Sequence, residues 1–287
     1  MAVIKETFYK QILQPGALSE LFTLWNRFPD AVPFAGGTTL IRHGSDAGGI
    51  RGFFREQPEL PPETLSLEKI DELRAVTRTE RYLEIGTMVR LNEIIALGKI
   101  VPGVFSRNLE EIGGPQVRNL ATIGGNIWTS GDTTAPLSVL DARYELRNGA
   151  KSRWIPAIRF SSHPEGNPAS GELLTRIRIP LDEWNYTVYR KFQSAGPENE
   201  GGVLILLVRT QKNMLSKIQA VFAGGALLRD KNTETYLEGK ALPLNRRDAV
   251  YCRKCWENYL EGLEKPGPLL RTKIVNAVEA GIAGLAE

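Results

Sequence analysis

The sequence predicts a mixed α+β protein in two parts, and three observations carry that prediction. The chain has 287 residues, more than one small core accommodates, so two domains or one large α/β unit with an appendage are expected. Its first part alternates strand-like runs with helical periodicity and twice reaches a Gly-Gly turn flanked by threonine, at Gly36-Gly37 and at Gly124-Gly125. Beyond Pro180 the texture changes to alternating strand patterns, followed by two amphipathic helices separated by Lys265-Pro266-Gly267-Pro268. A boundary at residues 180–186 follows, with a small antiparallel sheet of three strands and a helical pair behind it.

Residues 4–9 read as a first strand. Leu18, Leu21, Phe22, Leu24, Trp25 and Phe28 recur at helical spacing, which predicts a helix that Pro29-Asp30 ends. Residues 31–34 form a short strand running into Gly36-Gly37. Strand, helix, strand and Gly loop make a βαβ unit with the loop at a strand's C-terminal end, where ligands of α/β sheets commonly sit. Residues 46–62, rich in Gly, Pro and charge, read as an irregular excursion. A strand over 64–67, a brief helix or turn over 70–73 and a strand over 82–85 entering Gly86-Thr87 come next. Helices are predicted over 88–97 and 104–112, the second stopped by Gly113-Gly114-Pro115. Residues 143–146 alternate as a strand, Asn148-Gly149 signals a hairpin, and 153–158 returns. Residues 173–179 alternate up to Pro180. The three later strands are 187–192, 204–210 and 218–228, the last interrupted by Gly224-Gly225; 248–263 and 270–285 are the helices.

Composition excludes several function classes. The net charge of +3 comes from interspersed acids and bases, with no basic stripe of interleaved aromatics, so nucleic acid is not an expected partner. The N-terminal MAVIKETFYK lacks the apolar core of a signal peptide. No run approaches the ~18 apolar residues of a membrane span, so a soluble cytoplasmic protein is expected. Cys252 and Cys255 form a lone C-x-x-C inside a helical pattern. Zinc would need two more ligands, and the only histidines are His43 and His163. An iron–sulfur cluster usually needs four cysteines, so no metal centre is expected in this chain. G-x-S-x-G, H-E-x-x-H, the Walker pattern and G-x-G-x-x-G are all missing, and no catalytic residue is assigned.

What remains is ligand cradling. Gly36-Gly37-Thr38-Thr39 can offer consecutive N–H groups and hydroxyls to a pyrophosphate, and Gly124-Gly125-Asn126 can do the same from a second turn. Asp132 could accept hydrogen bonds from ribityl or ribose hydroxyls. The alternative for each pair is a tight turn with no ligand.

The strings PFAGGTTLI, IGTMVRLNEI, GGPQVRNLATIGGNI, PLSVLDARYEL and GELLTRIRIP, in that order, resemble the FAD-binding subunit of molybdenum hydroxylases. That family includes the flavoprotein subunits of xanthine dehydrogenase and carbon monoxide dehydrogenase. The resemblance implies a two-lobed FAD-binding domain of the vanillyl-alcohol-oxidase (PCMH) type over residues 1–182. A C-terminal domain of the CO-dehydrogenase flavoprotein type would fill 183–287. It implies that Ala35, Gly36, Gly37, Thr38 and Thr39, with Phe34 and Leu40 beside them, wrap the pyrophosphate. Gly86 and Thr87 would lie nearby, and Ala121, Thr122, Ile123, Gly124, Gly125 and Asn126 would form the second clamp. Asp132 would bind FAD hydroxyls. Tyr189 and Lys191 would sit near the isoalloxazine, where a cation stabilises charge on the reduced ring. Covalent attachment in the wider fold uses His or Cys; Thr38 follows Gly37 here, so FAD is expected to be non-covalent. The implied partners are a molybdopterin-binding large subunit and a [2Fe-2S] small subunit, with electrons leaving through FAD to an acceptor such as NAD. The other readings are a stand-alone flavin reductase of the UDP-N-acetylenolpyruvylglucosamine reductase type and a flavin-free structural subunit.

Overall fold

The computed structural model describes residues 11–39, 63–160, 166–193 and 201–285. The strand expected over 4–9, the excursion over 46–62, and Leu40, His43 and His163 lie outside the described residues.

Three short strands form a parallel sheet: β1 (Gln11–Leu13), β2 (Val32–Phe34) and β3 (Glu63–Ser66), with β3 between the other two. Helix α1 (Leu18–Arg27) connects β1 to β2 and buries Leu18, Leu21 and Phe22, three of the six residues whose spacing predicts it. They pack with Leu67, Ile70, Leu73, Met88 and Leu173 in one small core.

A five-stranded antiparallel sheet follows. Its strands are β4 (Val76–Arg78), β5 (Tyr82–Gly86), β6 (Arg143–Asn148), β7 (Lys151–Pro156) and β8 (Leu173–Pro180), in the order β4-β5-β8-β6-β7. The sequence reading lacks β4, which at three residues is too short to show alternation. The hairpin between β6 and β7 turns through Gly149 at φ +57°, the conformation that favours glycine. Helix α2 (Leu91–Ala96) starts later than the expected 88 because its approach is extended: Arg90 bridges Thr122, and the Leu91 N–H donates to the Ala121 carbonyl at 3.0 Å. Helix α3 (Gly103–Glu110) stops before Gly113, which takes φ +51°. Three short helices come next: α4 (Pro115–Arg118), α5 (Ile123–Trp128) and α6 (Thr134–Val139).

The C-terminal sheet has four antiparallel strands, one more than expected: β9 (Tyr186–Phe192), β10 (Gly202–Gln211), β11 (Met214–Ala223) and β12 (Leu227–Leu228), in the order β12-β11-β10-β9. The single strand read over 218–228 is two strands folded at Gly224-Gly225. Gly225 takes φ +68°. A Cβ on Gly224 would lie 2.1 Å from the Gly201 carbonyl oxygen, so the reversal needs glycine there. Lys212 and Asn213, both at positive φ, make the two-residue turn that brings β11 back on β10 from Met214.

Both faces of this sheet are buried, which is why Val203 to Val208 reads as an unbroken apolar run. Leu204, Leu206, Val208, Ile218 and Phe222 face α8 (Arg246–Glu261) and α9 (Pro268–Ala283), where Cys252, Trp256, Ile274 and Val278 are buried. The short helix α7 (Lys231–Leu237) caps the same layer. Val203, Ile205, Leu207 and Val221 point the other way, into the core shared by the five-stranded sheet and helices α2, α3, α5 and α6. Among the described residues no helix is long and apolar enough to cross a membrane.

Candidate functional site

Strand β2 delivers the chain to Ala35-Gly36-Gly37. Here the backbone approaches the segment 120–122 so closely that a Cβ on Gly36 would lie 1.9 Å from the Leu120 carbonyl oxygen. Gly37 takes φ +67°, and its missing side chain leaves room for the Phe34 ring, 2.8 Å from where a Cβ would stand. The first Gly-Gly motif is thus in direct backbone contact with the segment that leads into the second.

The second motif is not the open turn read from the sequence. Gly124 and Gly125 lie in the first turn of α5, because Thr122 caps that helix: its hydroxyl oxygen accepts from the Gly125 N–H at 3.2 Å. The Ile123 N–H donates to the Val89 carbonyl at 3.0 Å and the Gly124 N–H to the Thr87 carbonyl at 2.9 Å. A Cβ on Gly124 would stand 2.6 Å from the Thr87 Cβ. Thr87 is itself anchored, its hydroxyl donating to the Leu174 carbonyl at 2.9 Å. The AGGT, IGT and TIGGN strings therefore meet at one place.

What they enclose is a cleft of about 560 Å³. Phe34, Ala35, Gly36, Gly37, Thr38 and Thr39 line one side, and Thr87, Thr122, Gly124 and Gly125 line another. Trp25, Val32, Leu67, Met88 and Trp128 give it apolar walls. The backbone N–H groups of Gly36 and Gly37 donate to no other described residue. Trp25 and Trp128 are site residues that the sequence reading does not single out; Trp128 is 50% exposed just after the Gly pair, and an aromatic so placed was the signal available.

Four other expected residues stand behind this wall. A Cβ on Gly86 would lie 2.2 Å from the Leu73 carbonyl oxygen, and Ala121 and Ile123 are buried in the core. Asn126 turns its side chain inward: Oδ1 accepts from the Thr133 N–H at 3.2 Å and from the Thr133 hydroxyl at 2.6 Å. Thr133 is fully buried, so Asn126→Ala would strand both donors. A loss of about 1–3 kcal/mol of stability is expected, to be checked by denaturant unfolding with urea.

Asp132, Tyr189 and Lys191 come together as a second cluster and are not part of the cleft lining. Lys191 Nζ donates to Asp132 Oδ2 and to the Glu111 carbonyl, both at 2.9 Å. The Tyr189 hydroxyl donates to Glu111 Oε2 at 3.0 Å and accepts from Asn108 Nδ2 at 3.2 Å. The Arg107 guanidinium covers the Tyr189 ring at 4.7 Å. Burial pushes the phenol up to about 12; the Asn108 bond opposes that shift, while Glu111 and Asp132 reinforce it. Tyr189 thus stays protonated at neutral pH. Asn108 and Glu111 are absent from the sequence reading, since polar residues at the end of a helix carry no distinguishing pattern.

Residues 7–182 match the family model described as the FAD binding domain in molybdopterin dehydrogenase. The chain is 26% identical over 198 residues to the glyceraldehyde dehydrogenase medium chain of Sulfolobus acidocaldarius, covering 67% of each. It is 28% identical over 259 residues to xanthine dehydrogenase 2 of Arabidopsis thaliana, covering 79% of this chain and 18% of that one; it thus spans less than a fifth of that relative. The structure of reconstituted CO dehydrogenase from Oligotropha carboxidovorans superposes with a TM-score of 0.72 at 20% identity over 96% of this chain and 95% of the other, which is a likeness of fold. With the family model matching well over half its length and the motifs of that match meeting at one cleft, this chain belongs to the FAD-binding domain family of the molybdopterin dehydrogenases.

Proposed function

We propose that this chain is the FAD-binding subunit of a multi-subunit molybdenum hydroxylase. It would pass electrons from a partner's iron–sulfur clusters through non-covalent FAD to an acceptor such as NAD. Substrate hydroxylation would take place on a separate molybdopterin subunit. The observation that carries this reading is that both Gly-Gly motifs line one cleft, with Gly36 packed on the backbone that leads into Gly124-Gly125.

The residues fit the cofactor. A dinucleotide needs backbone donors where its pyrophosphate lies and apolar surface along its rings. The N–H groups of Gly36 and Gly37 are free of other described partners, and no Cβ stands in front of them. Thr38 and Thr39 add hydroxyls on the same side, and Gly125 leaves the facing wall open. FAD supplies the exchange between one-electron and two-electron carriers when bound. The chain's own part is to hold and orient it. Gly36 to Thr39 grip the phosphates, Trp25 and Trp128 exclude water, and Lys191 provides a cation whose direction is set by Asp132 and the Glu111 carbonyl. In this reading residues 1–182 form the FAD domain and 183–287 the C-terminal domain that brings β9 to it.

Purified full-length chain, taken with or without added FAD, should show the visible flavin absorbance band and release the flavin on acid precipitation. A folded sample that neither retains nor takes up FAD would overturn the reading and mark a structural subunit. Colour remaining on the polypeptide would overturn the non-covalent assignment alone.

A further inference from the structure

The segment 132–141 carries α6 against β10 and β11, and both of its ends are tied to the four-stranded sheet by charge. At one end Asp132 pairs with Lys191 on β9. At the other, Asp141 Oδ2 accepts from Lys217 Nζ at 3.2 Å and from the Gln219 amide, both on β11. Asp141 Oδ1 accepts from Arg229 Nη1 at 2.8 Å. Arg229 is nearly buried and shares its other face with buried Glu234, Nε to Oε1 at 2.7 Å. Lys217 also lies 4.0 Å from Asp182. Between the two ends, Ala135, Leu137 and Val139 pack into the core with Val203, Ile205 and Val221.

That apolar contact holds the sheet on but has no direction of its own. Ion pairs and hydrogen bonds do have direction. The Asp132–Lys191 pair joins two partly exposed side chains and is too weak to hold the angle of the sheet alone, whereas the Asp141 cluster is backed by the buried Arg229–Glu234 pair, so losing it loosens both ends. Asp141 also holds φ +53°, a backbone that Asp and Asn tolerate better than other side chains. Three donors converging on that carboxylate repay such a placement.

We propose that Asp141 is a positioning residue: it locks the orientation of the four-stranded sheet and thereby sets where Lys191 stands. Only the consequence for flavin rests on the function proposed above.

The test is Asp141→Asn in the full chain, which removes the charge and keeps a residue suited to positive φ. Without FAD, acetylation of Lys191 by a small amine-reactive reagent is followed by peptide mass spectrometry. Lys240, paired with Asp248, serves as internal reference. Lys191 should react about threefold faster relative to Lys240, the scale set by loss of a partly exposed ion pair. FAD affinity should fall about tenfold, within the usual range of coupling between sites. An unchanged Lys191-to-Lys240 ratio in folded Asp141→Asn protein overturns the proposal. If both lysines accelerate together, the variant has unfolded, and Lys217→Met decides: a smaller rise confined to Lys191 supports the lock, and no rise overturns it. If wild-type protein takes up no FAD, the function fails while the labelling result still judges the lock.

Discussion

Gly36→Ala should cost about 1–3 kcal/mol of stability, the usual penalty for a methyl group with nowhere to go, and reduce FAD affinity about hundredfold. The added Cβ would lie 1.9 Å from the Leu120 carbonyl oxygen and 2.8 Å from its carbon. Both are backbone atoms, so no side chain can rotate aside. The opposing segment cannot retreat cheaply either. The Ala121 N–H donates to the Val117 carbonyl at 2.7 Å, and the Ala121 carbonyl accepts from the Leu91 N–H at 3.0 Å. The loop bearing Gly37, Thr38 and Thr39 must therefore move off the Leu120–Ala121 backbone and carry the Gly36 and Gly37 N–H groups out of register with the facing wall. A displacement costing about 2.7 kcal/mol of binding is two decades in affinity. Urea unfolding and titration of apoprotein with FAD, followed by flavin fluorescence, give the two numbers. Wild-type values for both would show that the contact yields and that the motifs do not depend on each other.

How much of this was legible in the sequence differs from element to element. The helix Leu18–Arg27 is legible because three of the residues that repeat at helical spacing, Leu18, Leu21 and Phe22, are the ones it buries. The C-terminal sheet is less so. Leu227 and Leu228 continue the apolar texture of β11 while pairing back on Ala223 and Phe222, and only Gly224-Gly225 marks the reversal. The helix Ile123–Trp128 is nearly opaque. Its two glycines are poor helix formers, and what decides its form is the Thr122 cap and the contact with Thr87. The two Gly-Gly strings are visible singly, and the family resemblance assigns them to one cofactor, but their meeting at one cleft depends on how two sheets meet. The pairing of Lys191 with Asp132, 59 positions apart, has no local pattern at all. The resemblance directs both residues to the flavin, whereas the structure first directs them to each other.

Gly125→Asp should leave the fold intact and reduce FAD affinity about a thousandfold. Gly125 differs from Gly36 in what surrounds it. The nearest heavy atom to a Cβ there is the Thr122 hydroxyl oxygen at 3.1 Å, a contact relieved by a shift of a few tenths of an ångström. Gly125 is also the third residue of α5, where an acidic side chain suits the start of a helix. Stability should therefore hold or rise slightly. The new carboxylate would stand in the cleft wall facing Gly36 and Gly37, where the pyrophosphate is proposed to lie. Like charges about 4 Å apart near a protein surface repel by about 4 kcal/mol, close to three decades of affinity. The carboxylate would also compete for the free N–H groups. Gly125→Asn separates the two causes: it adds nearly the same bulk without charge and should lose far less affinity. FAD titration of both variants, with urea unfolding as the folding control, makes the comparison. Equal losses in the two would mean that bulk alone is responsible, and wild-type affinity in Gly125→Asp would place the phosphates elsewhere.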